Sequence, residues 1–157
     1  MTVDIGIIGA MQPEIEGLVA QLASPVKECV SGIDFYTGEF FGKRVCVAKC
    51  GIGKVFAAIC AEIMILKYSP RLIVNTGVGG ALAEHLLPCD TVVAWSLVQH
   101  DMDTSPLGDP VGLVSGINVV RFPADLRAVE LICRAADDLS VNNVKGTIAS
   151  GDQFIAS

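Results

Sequence analysis

An apolar strand that runs through a glycine turn into a proline-led helix most constrains the fold of this chain. Residues Val3 to Ile8 form a near-continuous apolar run, which is typical of a central strand covered on both faces. Gly9 follows as a turn residue, and Pro13 is a residue favoured in the first turn of a helix. Helical spacing continues through Ile15, Leu18, Val19 and Leu22. The sequence therefore predicts a strand–turn–helix unit of an α/β protein.

The same alternation of strands and helices continues along the chain. Strands are predicted over 33–40, 44–48, 72–75, 90–98 and 144–149. Helices are predicted over 55–68 and from Pro123 onward, the latter with the apolar face Leu126, Val129, Ile132, Cys133 and Ala136. This alternation predicts a largely parallel sheet between helical layers, and the hairpin expected over 33–48 makes the sheet mixed. Without repeats or linkers, residues 1–157 are predicted to form a single domain.

Composition excludes several classes of partner. The chain is 52% hydrophobic and 18% charged and has a net charge of −6, which argues against nucleic acid or an anionic membrane as partner. Neither an apolar run of the ~18 residues needed to span a membrane nor a signal peptide is visible, so we expect a cytoplasmic protein. The six cysteines form no CxxC pair, and we expect them to be free, buried thiols in a reducing compartment.

Glu14 is the first candidate for chemistry. It follows the strand–glycine turn at the end where ligands collect in open α/β sheets, and a single carboxylate there favours acid–base chemistry over anion binding. A purely structural role, as an acidic residue that complements the dipole of the helix, stays open at this point.

Other motifs argue mainly against cofactors. The segment Gly51-Ile52-Gly53-Lys54 lacks the third glycine of a dinucleotide fingerprint and the Ser or Thr of a P-loop, so no nucleotide cofactor is expected. His100, Asp101 and Asp103 could suggest a metal, but a zinc site needs three or four converging ligands and the only other histidine is His85. No metal is therefore expected. Phe154, after the last predicted strand, either stacks on a planar ligand or packs as a core aromatic.

Five segments together resemble the 5′-methylthioadenosine/S-adenosylhomocysteine nucleosidase family of the nucleoside phosphorylases and hydrolases. They occur in the family's order along the whole chain: 7–11 with Glu14, 50–55, 75–80, His100-Asp101 and 150–155. Each motif is weak alone, but five in register are specific. The resemblance implies a three-layer αβα fold and hydrolysis of the bond between adenine and a 5′-thio-substituted ribose. It implies methionine salvage as the metabolic setting.

The resemblance also implies roles for individual residues. Glu14 matches the position that activates water. Phe154 matches the aromatic residue that stacks on adenine, and Ile155 matches the residue whose backbone pairs with the purine edge. The positions that match the ribose, base and 5′-substituent sites are Met11, Ile52, Val78 and Gly79. Leu107 matches a loop that, in the family's homodimer, reaches the partner's 5′-alkylthio pocket, so a homodimer is expected.

Two departures from the family pattern stand out. Val78 replaces the serine of the family's usual Gly-Ser-Ala-Gly-Gly loop, so a side-chain hydroxyl is lost. The Met-Glu motif that holds the ribose hydroxyls and the Ser-Asp motif that protonates the purine are not found. We therefore expect that the last elements of the domain are missing and that these 157 residues alone are nearly inactive.

Three other functions stay open on the sequence. A nucleoside phosphorylase needs cationic groups for phosphate, and no arginine or lysine lies between Gly9 and Val26, which favours a hydrolase. A hydrolase of futalosine or another purine nucleoside would use the same fold. A non-catalytic purine-binding relative would explain the missing motifs but not the retained Glu14.

Overall fold

The computed structural model describes residues 2–155, and the chain divides into two compact units, Met1–Gly79 and Gly80–Ser157. The first unit contains, in order, β1 (Ile5–Gly9), α1 (Gln12–Ala20), β2 (Ala23–Val30), β3 (Ile33–Phe40), β4 (Lys43–Lys49), α2 (Lys54–Tyr68) and β5 (Leu72–Asn75). The second contains β6 (Thr91–Gln99), a 3₁₀ turn (Ser105–Leu107), β7 (Phe122–Pro123), α3 (Leu126–Asp138) and β8 (Asn143–Ser150). That residues 1–157 form one domain stays a prediction.

The sheet of the first unit is mixed, as predicted. Its strand order is β2-β3-β4-β1-β5. Strand β1 pairs in parallel with β4 and with β5, whereas β3 is antiparallel to both β2 and β4. The hairpin expected over 33–48 is thus β3–β4, and the apolar run at 3–8 supplies most of β1, an interior strand that is paired on both sides.

Both faces of this sheet are covered, because α1 and α2 pack on opposite sides of it. Val45 and Val47 of β4 are buried with Ile15 of α1. The alternating residues Cys46 and Ala48 are buried in a second cluster, with α2 contributing Cys60, Met64 and Tyr68. Successive residues of a strand point to opposite faces, so a strand that is apolar at every position needs a helix on each side. The predicted three-layer αβα arrangement is confirmed.

Strand β2 was not predicted. It is an exposed edge strand that contains Pro25, Lys27 and Glu28, which are residue types that protect sheet edges from further pairing and that mask the strand pattern. Glu28 accepts hydrogen bonds from Lys67 Nζ at 2.5 Å and from Tyr68 Oη at 3.0 Å. Strand β2 is therefore connected to α2 by these polar contacts, and by Val30 at its end, which packs against the cluster that contains Cys60, Met64 and Tyr68.

The second unit has a three-stranded sheet in the order β7-β6-β8, with β6 parallel to β8 and antiparallel to β7. Helix α3 packs Val129 and Cys133 against Val93 of β6. The prediction that this helix opens at Pro123 was wrong, because Pro123 lies in β7 opposite Ser96.

The helix instead begins after Asp125, whose carboxylate accepts the N–H groups of Arg127 and Ala128 at 2.9 and 3.0 Å. Its predicted apolar face was wrong at Leu126 and Ile132, which are exposed. The buried face of α3 consists of Val129, Cys133 and Ala136.

All six cysteines are free. Four are buried, but Cys29 and Cys89 are exposed, contrary to the expectation of buried thiols. Cys29 lies on the edge strand β2 and Cys89 in the loop before β6. Among residues 2–155, no helix has the length and apolar character that crossing a bilayer would need.

Candidate active site

Three loops meet where the parallel strands β4, β1 and β5 end. The N–H groups of Cys50 and Gly51 donate to the carbonyls of Gly9 and Ala10 at 2.9 and 3.2 Å. On the other side, the N–H of Thr76 donates to the carbonyl of Ile8 at 2.9 Å. These bonds extend the pairing of the three strands into their loops. The segments 7–11, 50–55 and 75–80, which carry the first three family motifs, therefore lie side by side.

Glu14 lies at the centre of this edge, and three backbone N–H groups hold its carboxylate. Oε2 accepts from Ala10 at 2.6 Å and from Met11 at 2.9 Å, and Oε1 accepts from Val78 at 3.2 Å. The bond to Val78 joins residues 64 positions apart in the chain. A carboxylate has about four lone-pair sites, so three donors fix its orientation and leave capacity for one more donor, such as a water molecule.

Two glycines make room for this carboxylate. A Cβ at position 77 would lie 2.8 Å from Oε1 of Glu14 and 3.0 Å from its Cδ. A Cβ at position 9 would lie 2.6 Å from Cγ2 of Ile15 and 3.2 Å from the Cβ of Glu14. The sequence pattern indicates Gly9 as a turn residue and gives Gly77 no role of its own. Gly9 is the last residue of β1 and Gly77 lies two residues after β5, so no local sequence pattern marks the role of Gly77.

Cys50 is a further neighbour of Glu14 that the sequence did not single out. Its thiol is buried and donates to the carbonyl of Gly51 at 3.0 Å. Burial raises the pKa of the Cys50 thiol, and the negative charge of Glu14 raises it further. The sulfur is therefore held as an uncharged thiol beside the Glu14 carboxylate.

The other predicted residues of the first unit surround Glu14 to different degrees. Met11 is half-buried and forms the N-cap of α1. Val78 contributes its backbone N–H to Glu14 while its side chain is 82% exposed. Ile52 is exposed in the loop between β4 and α2, and Gly79 has open space where a Cβ would be. The structure thus places Met11 and Val78 in contact with the carboxylate, and Ile52 and Gly79 in exposed positions of the neighbouring loops.

The remaining predicted residues lie in the second unit. Leu107 ends the 3₁₀ turn after β6, and Phe154 and Ile155 follow β8. All three side chains are exposed, Phe154 at 96%. The alternative that Phe154 is a core aromatic was therefore wrong. Within residues 2–155, no three His, Cys, Asp or Glu side chains are placed to hold a metal ion.

Comparison with known proteins identifies the family. The family model of the phosphorylase superfamily matches residues 4–157. The chain belongs to the phosphorylase superfamily. The 5′-methylthioadenosine/S-adenosylhomocysteine nucleosidase of Shewanella halifaxensis, a member similar to this one, is 38% identical over 152 residues, which are 96% of this chain. The chain spans 66% of the length of that relative.

Solved structures of superfamily members agree with the fold. The nucleosidase of Neisseria meningitidis in complex with methylthio-immucillin-A matches with a TM-score of 0.95 and 33% identity, covering 98% of this chain and 67% of that one. The nucleosidase of Colwellia psychrerythraea in complex with adenine matches with a TM-score of 0.93 and 31% identity over 99% of this chain and 64% of that one. Futalosine hydrolase of Helicobacter pylori gives 0.94 and 32%, with 100% and 67% covered. The predicted fold class and family resemblance are confirmed.

Proposed function

We propose that the protein is a nucleosidase that hydrolyses the N-glycosidic bond of 5′-methylthioadenosine or S-adenosylhomocysteine, releasing adenine and the 5-thio-substituted ribose. The observation that carries this proposal is the Glu14 carboxylate, fixed by three N–H donors at the carboxyl ends of three strands. Similarity to nucleosidases crystallised with methylthio-immucillin-A and with adenine supports the choice of substrate class.

Glu14 acts as the base in this proposal. Cleavage of an N-glycosidic bond passes through an oxocarbenium-like ribosyl centre, as glycoside hydrolysis does. The attacking water needs an acceptor for its proton that is already oriented, and the three backbone donors orient Glu14 for this role. Proton donation to the leaving purine is assigned to no residue of this chain.

The substrate-binding roles follow the family pattern. Phe154 stacks on adenine, and its nearly complete exposure leaves the ring face available for a planar base. The backbone of Ile155 pairs with the purine edge. Met11, Ile52, Val78 and Gly79 line the ribose and its 5′ substituent, and Leu107 reaches a partner's 5′-alkylthio pocket. No metal or other cofactor enters the reaction.

Hydrolysis is favoured over phosphorolysis by what surrounds Glu14. The hydrogen bonds described for its carboxylate come from neutral backbone N–H groups. Phosphate is a dianion for much of the physiological pH range, and a carboxylate at its site would repel it unless cations compensated. A futalosine hydrolase is the second candidate, since one such enzyme matches with a TM-score of 0.94.

We propose that the enzyme is a cytoplasmic homodimer that acts in methionine salvage. The apolar surface of α2 supports the dimer. Val55, Ile59 and Leu66 are exposed and recur at a spacing that places them on one helix face. A contiguous exposed apolar face of this kind is a common mark of a subunit contact.

The test is base release by the full-length product of the gene, without phosphate, from 5′-methylthioadenosine, S-adenosylhomocysteine and futalosine. Glu14→Gln keeps the shape of the side chain but removes the base, so we expect release to fall by about 10²–10⁴-fold. Glu16→Gln, two residues along the same helix and exposed, is the matched control and should retain full activity.

Three results would contradict the proposal. Equal rates of base release by Glu14→Gln and the wild type would exclude Glu14 as the catalytic base. A strict requirement for phosphate would make the enzyme a phosphorylase. Base release from futalosine alone would identify the enzyme as a futalosine hydrolase, the second candidate function.

A further inference from the structure

The residues that follow β6 hold the residues that follow β8. These strands run in parallel with Gln99 opposite Ser150. Just beyond the pairing, the N–H of His100 donates to the carbonyl of Ser150 at 3.0 Å. One residue further, Oδ2 of Asp101 accepts the N–H of Asp152 at 2.8 Å. The pairing is thus extended past the strand ends, first by backbone and then by a carboxylate.

Between these two bonds, the imidazole of His100 lies against Gly151. A Cβ at position 151 would overlap Nε2 of the ring and lie 3.0 Å from both Cδ2 and Cε1. The ring therefore occupies the space that any other side chain at 151 would need. His100 and Asp101 each fix one residue of the segment that leads to Phe154.

We propose that Asp101 is a positioning residue for purine binding, because it fixes the backbone at Asp152 and so presents Phe154 and Ile155 to the base. This inference rests on the proposed function. Phe154 and Ile155 are themselves exposed, so packing of their side chains does little to order the segment. An ordered binding segment avoids the entropy cost of ordering on association, and the Asp101 bond restrains the backbone two residues before Phe154.

Asp90 provides a matched control at the other end of the same strands. Its Oδ2 accepts a hydrogen bond from the N–H of Leu87 at 2.8 Å, and its Oδ1 accepts one from Nδ2 of Asn142 at 2.6 Å. Asp90 precedes β6 and Asn142 precedes β8. Asp90 and Asp101 therefore both stabilise the connection between β6 and β8, but only Asp101 is next to the 152–155 segment.

The experiment compares Asp101→Ala, Asp101→Asn and Asp90→Ala in the full-length protein. We measure the equilibrium affinity for adenine, kcat and KM for 5′-methylthioadenosine, and amide hydrogen exchange over residues 151–155. Asp101→Ala should weaken adenine binding by about 3- to 10-fold, the range for one net hydrogen bond. KM should rise with kcat nearly unchanged, and exchange over 151–155 should accelerate.

The two other variants separate positioning from general stability. Asp101→Asn keeps one carbonyl oxygen that can accept the Asp152 N–H, so it should recover most of the adenine affinity. Asp90→Ala should lower the melting temperature but leave adenine affinity and exchange over 151–155 unchanged. Equal adenine affinity in Asp101→Ala and the wild type would overturn the role of Asp101. Equal weakening of adenine binding in Asp101→Ala and Asp90→Ala would overturn it as well. Neither result would contradict the proposed function. Absence of adenine binding by the wild type would overturn the proposed function with it.

Discussion

Gly77 determines where the Glu14 carboxylate can lie. The space that a Cβ would take at this position is 2.8 Å from Oε1 of Glu14, so Gly77→Ala must displace the carboxylate. Since a misplacement of about 1 Å can cost about 10²-fold in rate, we expect adenine release to fall by about that factor while the melting temperature changes little. Gly17→Ala, on the exposed side of α1 with open space around it, is the control and should keep the wild-type rate. A Gly77→Ala enzyme with normal kcat would show that the carboxylate position is not decisive.

The sequence placed Glu14 in the first turn of a helix, where the structure has it, but could not show what holds its carboxylate. A strand, a glycine turn and Pro13 are local signals, and they place Glu14 in the first helical turn. The Val78 N–H that binds Oε1 is 64 residues away, and its approach depends on β1 and β5 being neighbours in the sheet. A register between distant strands leaves no local pattern, so neither this bond nor the role of Gly77 could be predicted.

At the scale of elements, the packing of β1 on α2 depends on Gly6. A Cβ at this position would overlap Sδ of Met64 and lie 3.3 Å from its Cγ, and Met64 is fully buried. Overpacking of this kind costs about 1–3 kcal/mol, so Gly6→Ala should lower the free energy of unfolding by about that amount. In denaturant titrations, the double variant Gly6→Ala with Met64→Ala should be less destabilised than the sum of the two single variants. Strict additivity would mean that the two residues do not compete for this space.

The contact of β4 with α2 also predicts a dependence of stability on pH. Burial raises the pKa of the Cys46 and Cys60 thiols from 9.0 to about 12. Above pH 9 the unfolded chain loses these protons while the folded chain retains them. The folded chain then binds more protons than the unfolded chain, so the free energy of unfolding falls as pH rises. Thermal melts between pH 8 and pH 11 should show this decline, and Cys46→Ala should make it shallower. Cys29→Ala, on the exposed edge strand, should leave the slope unchanged, and a slope equal in all three proteins would contradict the assignment.

Elements with strong periodicity were predicted well, and those with conflicting signals were not. Strand β4 was predicted because it is apolar on both faces. Strand β2 was not, because the Lys, Glu and Pro that protect an edge also remove the strand pattern. At α3, Pro123 and Asp125 are both signals for the start of a helix. Pro123 pairs with Ser96 of β6, and because of this tertiary contact the helix begins after Asp125 and not at Pro123.

At the scale of the whole molecule, the order of motifs carried more information than any one of them. No single glycine segment distinguishes a nucleosidase from other α/β proteins, yet five segments in register predicted the family that the comparison confirmed. Order is informative because each segment follows a strand, and parallel strands bring their carboxyl ends to one edge. In the first unit, this is how segments that begin at 7, 50 and 75 come to surround one carboxylate.

The apolar face of α2 leads to the last prediction, which concerns assembly. Val55, Ile59 and Leu66 are exposed on one face of the helix, and exposing such a face to water is unfavourable in an isolated chain. If this face is the subunit contact, Ile59→Glu should bury a charge in the interface and convert a dimer into monomers in sedimentation velocity. Phe41→Glu is the control, because Phe41 is an 88% exposed aromatic in the β3–β4 turn of the same unit. It should leave the sedimentation coefficient unchanged. An Ile59→Glu protein that remains dimeric would exclude α2 as the contact, and a monomeric wild type would exclude the homodimer.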